Sequence, residues 1–173
     1  MQAMNLKFDH WREELIFTGN IVQDDDESVP QDEKERRFNR YVELLGSVTG
    51  AEGLETLVAV VDSLQAEQDY GAYQRTYNTL WCFPPNVAAE GLVTALPGLI
   101  QRRHDCAGNI LAALGNATSG SSYGVLLAFR QALASTSQQA RTAIMDFITR
   151  EEHDGWLDGR RKGVIRPAAP QPT

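Results

Sequence analysis

Apolar residues recur every three to four positions along most of the chain, which is the spacing of one face of an α-helix. In residues 32–48, for example, this spacing places Phe38, Tyr41 and Leu45 on one face. No stretch alternates apolar and polar residues for long enough to predict a β-sheet. The pattern predicts seven helices, at residues 32–48, 51–68, 69–83, 86–103, 105–116, 122–135 and 137–153.

The breaks between these helices are only a few residues long. Successive helices are therefore expected to pack as antiparallel neighbours. The spacing of about 33 to 35 residues between helix pairs is typical of helical repeats. From Gly50 onward the helices sort into three hairpins, at residues 50–83, 85–116 and 119–153.

One of these hairpins has a proline and an aspartate at positions that are typical of a known helical repeat. Pro97 lies late in its first helix, where a proline bends the helix axis. Asp105 lies where its side chain would cap the second helix. Residues 92–116 thus resemble a HEAT repeat. The predicted fold is all-α, with about seven helices whose antiparallel hairpins stack as a HEAT-like right-handed superhelix.

The two ends of the chain differ from this helical body. The segment FDHWREELIF either forms a short helix capped by Asp9 or lies extended. The end PAAPQPT, after Arg166, is predicted to be disordered. The sequence divides into an acidic and partly irregular N-terminal segment, a HEAT-like helical domain and a C-terminal tail, at residues 1–30, 31–155 and 156–173.

Negative charge is concentrated near the N-terminus. Residues 1–35 carry ten acidic and three basic residues, whereas the remainder carries thirteen of each, and the formal net charge is −7. Such a distribution argues against binding nucleic acid, which needs clustered lysine and arginine. It favours a basic protein partner, because long-range fields speed the encounter of opposite charges. The alternative is that the acids are a solvated loop and a helix start favoured by the helix dipole.

The cysteines and the apolar runs bear on the compartment. Cys82 and Cys106 belong to no C-x-x-C pair and fall in apolar helical stripes, so both are expected to be buried thiols in a reducing compartment. No segment approaches eighteen consecutive apolar residues, and the N-terminal residues lack the pattern of a secretory signal. A cytoplasmic protein without membrane contact is expected.

Several helix ends share a distinctive pattern of residues. An aromatic helix ends in Phe83, Pro84 and Pro85, a long helix carries the pair Leu96 and Pro97 near its end, and the next helix ends near Asn116. Two closing helices carry the stripe Leu126, Leu127, Leu133, Ile144 and Phe147. Over residues 40–150 this combination is similar to the immunity protein 30 family of bacterial polymorphic toxin systems.

The resemblance implies a non-catalytic inhibitor that binds a cognate toxin domain in the cytoplasm of the producing cell. It assigns no contact residues, so these are predicted from charge and from helical geometry. The predicted toxin-binding residues are Asp24, Asp25, Asp26, Glu27, Gln74, Arg75, Asn78, Asn109 and Trp156. Trp156 either anchors an interface or folds back over the last hairpin.

Two other functions stay open. A HEAT-like adaptor that binds a basic cellular partner would have the same features. The run RRHDC suggests an enzyme, but His104, Asp105 and Cys106 are adjacent at a helix start and point in different directions. No histidine has metal-ligand spacing with another histidine or cysteine, and no glycine-rich loop precedes a lysine. The sequence therefore predicts no catalytic, metal or cofactor site.

Overall fold

The computed structural model describes residues 2–167, with side chains from residue 7 onward except at residue 154. The regular secondary structure of this part of the chain is all helical, with no strand, which confirms the predicted all-α fold. The helices are α1 (Gln2–Gly19), α2 (Gln31–Gly46), α3 (Leu54–Asp62), α4 (Tyr73–Leu80), α5 (Pro85–Arg102), α6 (His104–Gly115), α7 (Gly120–Ser135) and α8 (Gln138–Asp154), followed by a 3-10 turn at Gly159–Arg161.

Contacts group the chain into two compact units, Met1–Phe83 and Pro84–Thr173. The sequence division placed boundaries after residues 30 and 155 instead. The observed boundary falls at a pair of prolines that cannot continue α4, and Pro85 occupies the first turn of α5, where the missing N–H is tolerated.

The N-terminal segment is mostly one long helix. Asp9 lies inside α1, so the expectation that it caps a short helix is wrong. Helix α1 packs against α2 and α3, and Leu15 is completely buried. The irregular part is confined to residues 20–30, between α1 and α2.

The core of the N-terminal unit contains hydrogen-bonded tyrosines as well as aliphatic side chains. The hydroxyl of Tyr41 lies 2.6 Å from Thr76 Oγ1 and 2.9 Å from Ser63 Oγ. Tyr73 donates a hydrogen bond to the carbonyl of Gly19, at 2.8 Å. Buried polar groups need such partners, so these bonds join α1, α2, α3 and α4 in specific positions.

Helix α4 buries a face that only partly matches the predicted apolar stripe. The predicted stripe was Tyr70, Tyr73, Tyr77, Leu80 and Trp81, of which only Tyr73 and Leu80 are buried. Thr76 and Thr79 are buried as well. Tyr70 precedes the helix in a left-handed conformation, with φ of 46°, and is exposed.

Helix α5 is the centre of the C-terminal unit. It contacts α6, α7 and α8, so the last two helices share α5 as their main partner rather than forming a simple hairpin with each other. One face of α5, with Glu90, Thr94 and Gly98, is exposed, and its buried positions cover more than half of the circumference. They are Ala88, Ala89, Gly91, Leu92, Val93, Ala95, Leu96 and Leu99. The superhelical stacking of the hairpins stays a prediction.

The turn between α5 and α6 differs from the expected capping. Helix α5 continues through Pro97 to Arg102. Asp105 lies in the first turn of α6 and does not cap it, because it accepts a 2.7 Å hydrogen bond from the guanidinium of Arg103. The helix dipole still stabilises the negative charge of Asp105 in this first turn.

The segment after α8 is packed as far as the description reaches. Leu157 and Ile165 are completely buried. Arg166 forms an ion pair with Glu152, with 2.6 Å between nitrogen and oxygen, and its carbonyl accepts a hydrogen bond from Arg130. The predicted disorder of the chain end falls on residues 168–173, outside the described residues.

Three single positions complete the comparison with the sequence. Cys106 is buried as predicted, whereas Cys82 is exposed, because it lies on the outer side of the turn that ends α4. Leu127 was placed in the apolar stripe of α7 but is exposed. Within the described residues, no helix is both long enough and apolar enough to cross a membrane.

Candidate protein-binding surface

The acidic loop, residues 24–27, lies between α1 and α2, and all four of its residues are exposed. No ion pair neutralises Asp24, Asp25, Asp26 or Glu27 within the part of the chain that the structure describes. Four carboxylates in close succession without an ion-pair partner produce a local negative potential. The loop is thus available to a positively charged partner.

Other acids of the same unit are used internally. The carboxylate of Glu33 accepts hydrogen bonds from the guanidinium groups of Arg36 and Arg37, and these bonds lower the pKa of Glu33 to about 2. Glu14 is paired with Arg40 by two hydrogen bonds of 2.8 Å. The arginines of α2 therefore pair with Glu33 and Glu14 and not with the acidic loop.

Three contacts hold the acidic loop in place. The side-chain amide of Gln23 donates to the carbonyl of Gln68 at 3.0 Å. The backbone N–H of Asp24 donates to the hydroxyl of Tyr70 at 3.1 Å. The ammonium group of Lys34 donates to the carbonyls of Gln23 and Asp24, both at 2.9 Å. A loop already ordered in the free protein loses less entropy on binding than a flexible one.

Asp26 also shapes the loop from within. Its carboxylate accepts hydrogen bonds from the hydroxyl and the backbone N–H of Ser28, which lower the pKa of Asp26. This is a local turn in which an aspartate side chain takes the place of a backbone acceptor. Asp26 is therefore ionised at neutral pH and also supports the loop conformation.

The three predicted residues of α4 share one exposed face. Gln74, Arg75 and Asn78 are all exposed, as the helical wheel predicted. The side-chain amide of Gln74 donates to Asn78 Oδ1 at 3.1 Å. This polar face of the N-terminal unit is open to a partner.

The two predicted residues of the C-terminal unit are less open. Asn109 is only half exposed on α6. Trp156 folds back onto Gly108 of the same helix and keeps 38% of its surface exposed. It lines an open groove of about 890 Å³ together with His104, Arg150 and Glu151. Trp156 thus folds back, onto α6 rather than over the last hairpin, and its use as an interface anchor stays a prediction.

Sequence reasoning did not find the residues that hold the acidic loop. Gln23, Lys34 and Tyr70 act through side-chain bonds to backbone groups, and the partners of Gln23 and Tyr70 lie 45 and 46 positions away in the chain. The run DYGA before α4, with glycine beside tyrosine, was the one local signal of a turn there.

The residues of the enzyme alternative are now placed. His104 is exposed, Cys106 is buried and Asp105 is paired with Arg103. Among the described residues, no group of three histidine, cysteine, aspartate or glutamate side chains is placed to hold a metal ion.

No family model, curated protein or solved structure matches the chain. The similarity to the immunity protein 30 family therefore depends on the quoted residues alone and stays a prediction.

Proposed function

We propose that this protein is an immunity protein that neutralises a basic toxin domain in the cytoplasm of the producing cell by direct contact. It acts as a binding protein without catalysis. The observation that carries the proposal is the acidic loop, which is exposed, held in place by Gln23, Lys34 and Tyr70, and not neutralised by the neighbouring arginines.

This observation bears on the alternative that the acids are a solvated helix start. Asp32 and Glu33 do lie in the first turn of α2, where the helix dipole favours them. The acidic loop precedes that helix, and its charges take part in no ion pair with the described residues. Such charges attract a cationic partner and speed its approach. At 0.1 M salt this attraction extends over about 10 Å.

The test is co-expression of this chain with a toxin domain, namely the C-terminal domain of the protein that the gene immediately upstream encodes. We expect this domain to arrest growth of a bacterial host and the wild-type chain to restore growth. A purified complex is expected to lose affinity as salt is raised, because exposed charges contribute to it. Failure to bind and to restore growth would reject the proposal, and binding to a different basic cellular protein would favour the adaptor.

A triple variant tests the loop itself. Asp24→Asn, Asp25→Asn and Glu27→Gln remove three charges and keep Asp26, which supports the turn. At about 0.2 to 1 kcal/mol for each exposed charge, we expect roughly tenfold weaker binding and a smaller salt dependence. The matched control removes three exposed acids elsewhere in the unit, with Asp9→Asn, Glu13→Gln and Glu55→Gln. If the two triple variants weaken binding equally, the acidic loop is not part of the interface.

A further inference from the structure

A small pocket adjoins the acidic loop in the N-terminal unit. Its volume is about 240 Å³, and its lining includes Val22, Phe38 and Tyr70 as apolar walls. The carboxylates of Asp24 and Glu35 belong to the same lining. Apolar and aromatic walls with acids beside them fit a ligand group that is both flat and cationic.

The aromatic wall is held in an unusual backbone conformation. Tyr70 is not a glycine, yet its φ is 46°, in the left-handed region that residues with a β-carbon rarely adopt. The hydroxyl of Tyr70 accepts the backbone N–H of Asp24, so the ring stays beside the acidic loop. The ring nevertheless leaves 45% of the residue exposed, which makes it accessible to a partner.

The charges of the lining favour a cation. Lys34 is the one basic side chain among the residues that line the pocket, and its ammonium group is engaged by the carbonyls of Gln23 and Asp24. Asp24 has no ion pair with the described residues, and Glu35 accepts only a 3.3 Å hydrogen bond from Gln31. Two acidic residues and one lysine therefore line the pocket, with the rest of the acidic loop next to them.

We propose that this pocket receives an arginine side chain of the basic partner. The inference rests on the proposed function, because it specifies how this protein recognises the cationic surface of its partner. A guanidinium group stacks on aromatic rings and is less strongly hydrated than an ammonium group, while its N–H groups pair with carboxylates. The aliphatic part of the same side chain would lie against Val22.

The test uses a probe that is independent of any toxin. Blocked tripeptides acetyl-Gly-Arg-Gly-amide and acetyl-Gly-citrulline-Gly-amide differ in charge but hardly in shape. On titration of the full chain, we expect the arginine peptide to shift the backbone amide resonances of Val22, Phe38 and Tyr70, with a millimolar dissociation constant. The citrulline peptide should bind at least fivefold more weakly. Equal binding of the two peptides, or shifts confined to other residues, would overturn the pocket assignment.

Two variants at one position separate the ring from the hydrogen bond. Tyr70→Phe removes the hydroxyl that accepts from Asp24 and keeps the ring, so arginine-peptide binding should fall less than threefold. Tyr70→Leu removes the ring as well and should abolish measurable binding. Similar affinities of wild type and the leucine variant would contradict the aromatic contact. If the leucine variant unfolds, the phenylalanine variant and the citrulline comparison still decide the question.

The outcomes also separate this inference from the proposed function. If the upstream toxin domain is neutralised through the acidic loop but the arginine peptide does not bind at the pocket, the pocket assignment is wrong and the function stands. If the peptide binds at the pocket but no toxin domain is neutralised, the pocket assignment stands and the immunity function is wrong.

Discussion

The indole ring of Trp156 lies directly against Gly108 of α6. A β-carbon on residue 108 would overlap Cδ1 and Nε1 of that ring. Glycine is therefore required at this point of the helix by the close approach of a side chain, although glycine costs a helix about 1 kcal/mol relative to alanine.

Replacement of Gly108 by alanine should displace the indole ring. Overpacking costs typically 1–3 kcal/mol, which exceeds the gain in helix propensity, so we expect a net loss in the free energy of unfolding. Urea denaturation measures this loss, and the indole N–H resonance of Trp156 should shift. Gly98→Ala is the control, because the added β-carbon would lie 3.1 Å from a terminal nitrogen of Arg102, which is the flexible end of a side chain and can move away. Equal stability of the two variants would contradict the contact.

Removal of the Tyr41 hydroxyl should destabilise the N-terminal unit. Tyr41→Phe leaves the buried hydroxyl of Thr76 without its 2.6 Å partner. An unsatisfied buried polar group costs about 1–3 kcal/mol, and we expect a loss of this size in urea denaturation. Tyr123→Phe is the matched control, since Tyr123 is exposed on α7. A Tyr41 variant as stable as the control would show that the buried bond contributes nothing.

The pair of Glu152 and Arg166 should make stability depend on pH. Burial raises the pKa of Glu152, but hydrogen bonds from Arg166 and from the backbone N–H of Gly163 outweigh it, and the net shift is downward from 4.5. The contribution of this carboxylate is thus present above pH 4.5 and is lost as pH falls through its lower folded-state pKa.

Glu152→Gln should consequently be less stable than wild type by about 1–3 kcal/mol at pH 7. The difference should shrink as the pH falls below 4.5 and through the lowered folded-state pKa, because the wild-type carboxyl then becomes protonated as well. Urea denaturation at pH 7 and at pH 3 measures it. Glu90→Gln, at an exposed acid of α5, should show neither effect. A constant difference between wild type and Glu152→Gln at the two pH values would refute this role of the ion pair.

The two cysteines should react at very different rates. Cys82 is exposed and Cys106 is only 3% exposed. In native protein, a thiol reagent such as dithionitrobenzoate should modify one thiol per chain quickly and the second only after denaturation. Cys82→Ser should abolish the fast phase, and Cys106→Ser should leave it unchanged. A fast phase that survives in Cys82→Ser would place the wrong cysteine at the surface.

Local patterns predicted the helices well because a helix is stabilised by bonds within four residues. The apolar spacing located α2 to α8, and it predicted the exposed face of α4 that carries Gln74, Arg75 and Asn78. Errors occurred where one contact replaced the expected one. Asp105 pairs with Arg103, two residues away, instead of capping α6, and the hydroxyl of the exposed Tyr70 accepts from Asp24, 46 positions away.

The amino-acid sequence by itself determined that this chain is helical, and it placed the carboxylates of the acidic loop next to one another. Both properties depend on near neighbours along the chain. Only the tertiary structure decided that α5 is the shared partner of α6, α7 and α8, and that Gln68 and Tyr70 hold the acidic loop. An apolar stripe specifies that a helix is buried but not against which helix, and bonds across 45 positions form only when packing brings their partners together.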